Sequence, residues 1–149
     1  MKYVPNCVYK IDKTQLHQIS EINLDCPIYY SDHEKVLKKR PIYVVSQDSA
    51  ILGYLSYNSN YRSLIVEYIG IRRELRRSGF GSILICKLIE DAIDYDRTIV
   101  VKVEGSDIAS LKFFSNNGFK AIAIICEDVF EYYLMEWSKN GNVLFSSVR

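Results

Sequence analysis

No stretch of this 149-residue chain is apolar for long enough to cross a bilayer, since the longest unbroken apolar run, Ala121 to Cys126, has only strand length. The opening residues, Met1-Lys-Tyr-Val-Pro5, lack a charged region followed by an apolar core, so no secretory leader is read and cytoplasmic residence is expected. Cysteine is sparse and dispersed. Cys7, Cys26, Cys86 and Cys126 form no Cys-x-x-Cys pair and have no histidine close by in sequence, so no metal site is expected and the thiols read as free and buried. Neither sign of charge prevails: 19 basic residues against 18 acidic ones leave a net charge of +1, which removes a general pull on nucleic acid. Neither nucleic acid nor a membrane is expected as partner. Repeats and low-complexity segments are absent too, and the length suits one core better than two. A single domain over 1–149 is expected, with 138–149 a polar tail that includes a short strand candidate at Val143 to Phe145.

What the chain does have is a clear alternation of periods. Tyr3 to Lys10 reads as a strand. Asp12 then caps an amphipathic helix over Lys13 to Asn23, with Leu16, Ile19 and Ile22 on one stripe. Ser31-Asp-His-Glu34 has the spacing of a capping box and opens a short helix, Asp32 to Lys39, that stops before Arg40-Pro41. Ile42 to Ser46, Ala50 to Tyr57 and Tyr61 to Ile71 are apolar, β-branched runs joined at Gln47-Asp48-Ser49 and Asn58-Ser59-Asn60, which makes a meander. Phe80 to Asp94 is a helix whose broad stripe of Leu84, Ile85, Leu88, Ile89, Ala92 and Ile93 must pack on the sheet. Ile99 to Val103 follows as a buried strand, and the helix before it implies a right-handed crossover and a parallel pairing with the long strand. Asp107 caps a last helix, Ile108 to Asn116, and Asn117-Gly118 supplies its left-handed end. Two strands, Lys120 to Cys126 and Phe130 to Trp137, fold back across Glu127-Asp128-Val129. The twelve tyrosines are expected mostly on strands, half buried with their hydroxyls wet.

The stretch from Leu75 to Glu90 stands apart, because a basic turn with two glycines runs straight into a helix. The first amides of a helix lack internal carbonyl partners and carry a positive partial charge, so such a start suits a phosphate. Arg72, Arg73, Arg76 and Arg77 crowd this entry. For Arg72 and Arg73, a solvated basic loop and a role with phosphates are equally open. A dinucleotide fingerprint would need a small residue where Leu84 stands, and a nucleotide-hydrolase phosphate loop would need Gly-Lys-Ser/Thr where the chain has Gly81-Ser82-Ile83.

Arg76-x-x-Gly79-x-Gly81, after a long strand and before an amphipathic helix, resembles the coenzyme A pyrophosphate motif of the GNAT N-acetyltransferase superfamily. The order of elements and the segment Asp107 to Phe119, a helix ending in Gly-Phe, resemble that family as well. The resemblance covers about Tyr3 to Trp137. It implies an α/β fold with a mixed, mostly antiparallel sheet, a splayed parallel central strand pair and flanking helices. It also implies acetyl-coenzyme A as cosubstrate and a primary amine as acceptor, in a monomer or homodimer. The backbone amides of Arg77, Ser78, Gly79, Phe80, Gly81 and Ser82 would hold the pyrophosphate, with Arg76 cofactor-binding beside them. Ile69 and Ile71 would offer backbone to acetyl-pantetheine as an added strand would, and Asp107 and Phe114 would be cofactor-binding residues as well.

The amine must lose a proton, and Glu67 is the candidate base. It lies in Leu64-Ile-Val-Glu-Tyr-Ile69 on the face shared with Ile65 and Ile69, where burial would strengthen it as a base; the bland reading is a strand-edge Glu that reaches solvent or pairs with a nearby Arg. Glu104 and Asp107 are second choices. The leaving thiolate calls for a proton donor. Where the family often has tyrosine, four residues before Gly-Phe, this chain has Phe114, so either another hydroxyl serves, with Tyr132 and Tyr133 preferred over Tyr68, or the thiolate leaves unassisted or through water, or the domain binds acetyl-coenzyme A without rapid turnover. Residues from Cys26 to Arg40 and the hairpin around Glu127 to Glu131 are expected to form the acceptor side.

Overall fold

The computed structural model describes residues 7–23 and 37–141. The expected beginning of the first strand, most of the helix from Asp32 and the strand at Val143 to Phe145 lie outside these residues. The strands are β1 (Cys7–Lys10), β2 (Ile42–Gln47), β3 (Ala50–Ser59), β4 (Ser63–Ile71), β5 (Thr98–Glu104), β6 (Lys120–Glu127) and β7 (Phe130–Trp137), and the α-helices are α1 (Leu16–Asn23), α2 (Phe80–Asp94) and α3 (Ile108–Asn116). One seven-stranded sheet runs in the order β1-β2-β3-β4-β5-β7-β6. The β1–β2, β2–β3, β5–β7 and β6–β7 ladders are antiparallel, and β4–β5 is parallel, as the intervening helix implied. The chain divides into two compact units, residues 1–58 with 67–87 and residues 59–66 with 88–149.

In the first unit Asp12 closes a capping box with Gln15, but the first turn is a 3-10 turn, Lys13–Gln15, and the α-helix starts only at Leu16. Leu16, Ile19 and Ile22 do form its inward stripe and join Leu37, Ile42, Val44, Ile51 and Tyr54 in one core cluster. Asp48 and Ser49 both have positive φ, 51° and 66°, which is the two-residue hairpin geometry that matches strand twist. The turn after β3 falls two residues later than its sequence suggests. Asn60 supplies it, its Oδ1 accepting from the amides of Arg62 and Ser63, both at 2.8 Å.

In the second unit β4 and β5 pair from Ser63↔Thr98 to Val66↔Val101. The end of α3 shows why its sequence reads Phe114…Gly118-Phe119. Gly118 has φ +90°, its amide donates to the Ser115 carbonyl at 3.1 Å, and the Phe119 amide donates to the Phe114 carbonyl at 3.0 Å. This is the Schellman arrangement, and its usual apolar contact is present as Phe114 and Phe119 rings 5.2 Å apart. β6 is the outer strand. Most of its residues are exposed, Ile124 at 57%, and its register shifts between Ala121 and Ala123, a bulge of the kind that blunts an edge against further pairing.

Three expectations about burial need correction. Cys86 and Cys126 are exposed, because one lies on the outward side of α2 and the other on the edge strand. Ile93 is 43% exposed, one step past the stripe that buries Leu84, Leu88 and Ala92. Tyr43, Tyr54 and Tyr57 are buried core residues and Tyr61 and Tyr95 stand in solvent, while Tyr9, Tyr68, Tyr132 and Tyr133 are partly buried on strands as expected. No helix among the described residues is long and apolar enough to cross a membrane.

Glu136 on β7 lies opposite Val100 on one side and Lys120 on the other, and its partial burial pushes its carboxyl above the usual range. A carboxyl raised by folding contributes stability below its unfolded pKa and loses that contribution as pH rises through the folded value. Glu136→Gln is therefore expected to raise the melting temperature at pH 7 and to give no gain at pH 4. Thermal unfolding of both proteins across that range checks it.

Candidate active site

The first unit carries the glycine turn. Beyond β4, the Arg72 amide donates to the Leu52 carbonyl at 3.0 Å, its Nε donates to the Ile51 carbonyl at 2.8 Å, and a terminal nitrogen lies 3.5 Å from Glu21 Oε2. Arg72 thus ties β4 to β3 and α1. Arg73–Leu75 is a 3-10 turn, and Arg76 Nε reaches back to the Ile71 carbonyl at 3.0 Å. The chain then passes through two left-handed residues, Arg77 at φ 66° and Gly79 at φ 88°, before α2 begins. Phe80 anchors the helix start with a buried ring, while Arg76, Arg77, Ser78 and Gly79 are exposed.

This geometry fits a pyrophosphate. Ile83 is the first residue here whose amide reaches a carbonyl one turn back, that of Gly79 at 3.1 Å, so the amides of Gly81 and Ser82 head the helix. A Cβ placed on Gly79 would meet nothing within 4 Å. Glycine is required there for the backbone conformation, and its face is open to a ligand. Two exposed arginines add positive charge to the same rim.

Glu67 sits upstream on β4 in a stretch, Glu67 to Ile69, where every residue is partly buried and none is enclosed. Its carboxylate Oε1 accepts from Arg40 Nε, and the two side chains are 26% and 27% exposed respectively. The nearby-Arg arrangement is therefore the one found. Sequence reasoning placed Arg40 only at the end of the acceptor segment and missed this pairing; the one signal for it is a basic residue before Pro41, where a helical turn must stop. Ile69 and Ile71 follow Glu67 at alternate positions on the same strand face, so Glu67, Ile69, Ile71 and the turn from Arg76 to Ser82 form one continuous path.

The second unit carries the other candidates. Asp107 caps α3, accepting from the Ser110 amide at 3.1 Å and from its hydroxyl at 2.7 Å. Phe114 is 3% exposed, with edge-on contacts to Phe113 and Phe119. Tyr132 and Tyr133 point to opposite faces of β7. Tyr132 lies opposite Glu104, beside Phe130, with the Lys102 ammonium 4.8 Å from its ring centroid; that ammonium also pairs with Glu127 at 2.9 Å. Tyr133 lies opposite Val103, and its ring would be 3.3 Å from a Cβ on Gly105. Glu104 is exposed and accepts from the Ser106 hydroxyl at 2.9 Å. Among the described residues no group of three or more His, Cys, Asp or Glu side chains is arranged to hold a metal ion.

Solved structures share the fold. The ribosomal-protein-S18-alanine N-acetyltransferase from Escherichia coli superposes with a TM-score of 0.79 at 16% identity, over 89% of this chain and 92% of its own. A GNAT family acetyltransferase from Elizabethkingia anophelis with acetyl-CoA bound gives 0.75 at 14% identity, over 89% and 97%. Arabidopsis thaliana Naa50 in complex with the bisubstrate analogue CoA-Ac-MVNAL gives 0.76 at 15% identity, over 91% and 99%. At these identities the likeness concerns the fold, and no curated protein matches the sequence. The sequence model of the acetyltransferase (GNAT) family, however, matches residues 9–119, from β1 through the glycine turn to Phe119. With the turn, the parallel pair and that match in agreement, the chain belongs to the GNAT family of acyl-CoA-dependent N-acetyltransferases, whose acyl donor is acetyl-coenzyme A.

Proposed function

We propose that this protein transfers acetyl from acetyl-coenzyme A to a primary amine by direct attack, the acceptor being a protein N-terminus or a lysine. The observation that carries the reading is the left-handed Arg77 and Gly79 turn that opens α2. Acetyl-coenzyme A supplies an activated acetyl group as a thioester. The backbone from Arg76 to Ser82 holds its pyrophosphate, and β4 from Glu67 to Ile71, beyond the last pair of the parallel ladder, offers amides and carbonyls to the pantetheine arm. One of those amides donates to the thioester carbonyl and stabilises the negative charge that grows there as the amine attacks. Glu67 takes the amine's proton, directly or through water, and Tyr132 or Tyr133 returns one to the departing thiol. No cysteine acyl-enzyme is needed.

A protein acceptor is supported by two of the similar structures, one a ribosomal-protein-S18-alanine N-acetyltransferase and the other holding a coenzyme A conjugate of MVNAL. A second reading, a module that binds acetyl-coenzyme A without turnover, is favoured by Phe114, which has no hydroxyl and is packed between two rings. The test is release of free coenzyme A from acetyl-coenzyme A in the presence of N-terminal peptides, lysine peptides, polyamines and aminoglycosides. Turnover is expected with a peptide amine. Turnover with small amines alone would move the acceptor class, and tight binding with no turnover at all would establish the second reading.

A further inference from the structure

We infer that Arg40 is the positioning residue of the reaction, holding Glu67 through one carboxylate oxygen and leaving the other for the acceptor amine; this rests on the reading of Glu67 as the base. A glutamate side chain has three rotatable bonds, and on β4 Glu67 is flanked by Tyr68 and same-face Ile65 and Ile69, all only partly buried. Packing alone does not select one rotamer for it. The Arg40 Nε bond to Oε1 does.

Arg40 can act in this way because its own backbone is fastened at three points. Its amide donates to the Leu37 carbonyl at 3.3 Å, which closes the helical turn of residues 37–39. Its carbonyl accepts from Lys13 Nζ at 2.8 Å, and the same ammonium donates to the Leu37 carbonyl at 3.2 Å, so one lysine bridges two carbonyls at the end of the turn. The next residue, Pro41, has a fixed φ, and its carbonyl accepts from the Tyr57 amide on β3 at 3.3 Å. The guanidinium therefore projects from a root tied both to the 3-10 turn before α1 and to the sheet. An arginine held merely for surface charge would not need this. A base held within a fraction of an ångström of its working position has a clear use for it, because misplacement by about 1 Å can cost a hundredfold in rate.

The experiment has a structural arm and a kinetic arm. In nitrogen-15 spectra of the whole protein, the Arg40 Nε–H resonance is expected to be sharp and slow to exchange with solvent, and to lose that protection in Glu67→Ala. Kinetically, with the best amine of the acceptor panel, Arg40→Gln is expected to lower kcat about tenfold, while the dissociation constant of coenzyme A stays unchanged. Arg40→Lys should recover part of the loss, and Lys13→Met should show a smaller loss in the same direction. In a Glu67→Gln background Arg40→Gln should add nothing, since the two act as a unit. An unprotected Nε–H in the wild type, or equal and additive losses in both backgrounds, would overturn the inference. If Glu67→Gln itself retains full activity, the base assignment falls instead, while the resonance still decides whether Arg40 holds Glu67. Should Arg40→Gln fail to fold, Arg40→Lys and Lys13→Met carry the kinetic comparison.

Discussion

Glu67→Gln is expected to lower kcat for amine-dependent release of coenzyme A by about a hundredfold, the lower end of what a positioned general base contributes. The substitution keeps the shape of the side chain and an oxygen that can still accept from Arg40 Nε, and removes the capacity to take a proton. The pyrophosphate turn lies several residues downstream and makes its own contacts, through Arg76 to the Ile71 carbonyl and Arg72 to β3, so affinity for coenzyme A should be unaffected. Stability should change by less than about 1 kcal/mol, because a partly exposed ion pair is screened by solvent and weak. Initial rates at saturating acetyl-coenzyme A, with calorimetric titration of coenzyme A, separate these quantities. A variant that keeps wild-type kcat would move the base to Glu104 or Asp107.

The parts of the fold that were legible beforehand are those whose ends carry their own chemistry. α3 runs over the residues its sequence suggests because Asp107 caps its start and Gly118 takes positive φ at its end, and α2 does so because a left-handed glycine precedes a long apolar stripe. The parallel pair followed from a helix between two apolar runs. What could not be read is what depends on partners distant in sequence. Arg40 and Glu67 are 27 residues apart, and neither has a local pattern that names the other. The exposure of β6 was hidden for a different reason: Ala121 to Cys126 is apolar at every position, so the run has no polar face to announce an edge strand. Phe114 stands between these cases. Its departure from the family's tyrosine was visible in the sequence, but only the Schellman contact with Phe119 gives its ring a structural task there.

The largest loss of stability from a single added methyl group is expected at Gly53, on β3. A Cβ there would overlap Ile71 Cδ1 and lie 2.9 Å from the carbonyl oxygen of Gly70. The isoleucine can rotate away, but the backbone oxygen cannot, and Gly70 has no room to retreat because its own α-carbon faces Tyr54, whose ring would stand 2.7 Å from a Cβ at that position. Tyr54 is in turn 1% exposed within the core cluster that includes Ile22. Overpacking of this kind costs about 3 kcal/mol when the surroundings cannot yield, a large share of a typical domain's stability. The effect should reach the cofactor as well. Leu52 and Ile51, next to Gly53, hold Arg72 by two hydrogen bonds, and the Ile71 carbonyl holds Arg76, so shifting β4 re-aims the turn that binds pyrophosphate. Gly53→Ala is thus expected to lower the urea midpoint and to weaken coenzyme A binding about tenfold at a temperature where the protein is still folded, the equivalent of some 1.4 kcal/mol. Adding Ile71→Val removes the overlapping methyl group and should restore only part of the stability, because the contact with the Gly70 carbonyl remains. Full restoration would mean that the side chain alone set the spacing, and wild-type stability in Gly53→Ala would refute the close approach of β3 and β4 on which the position of the turn depends.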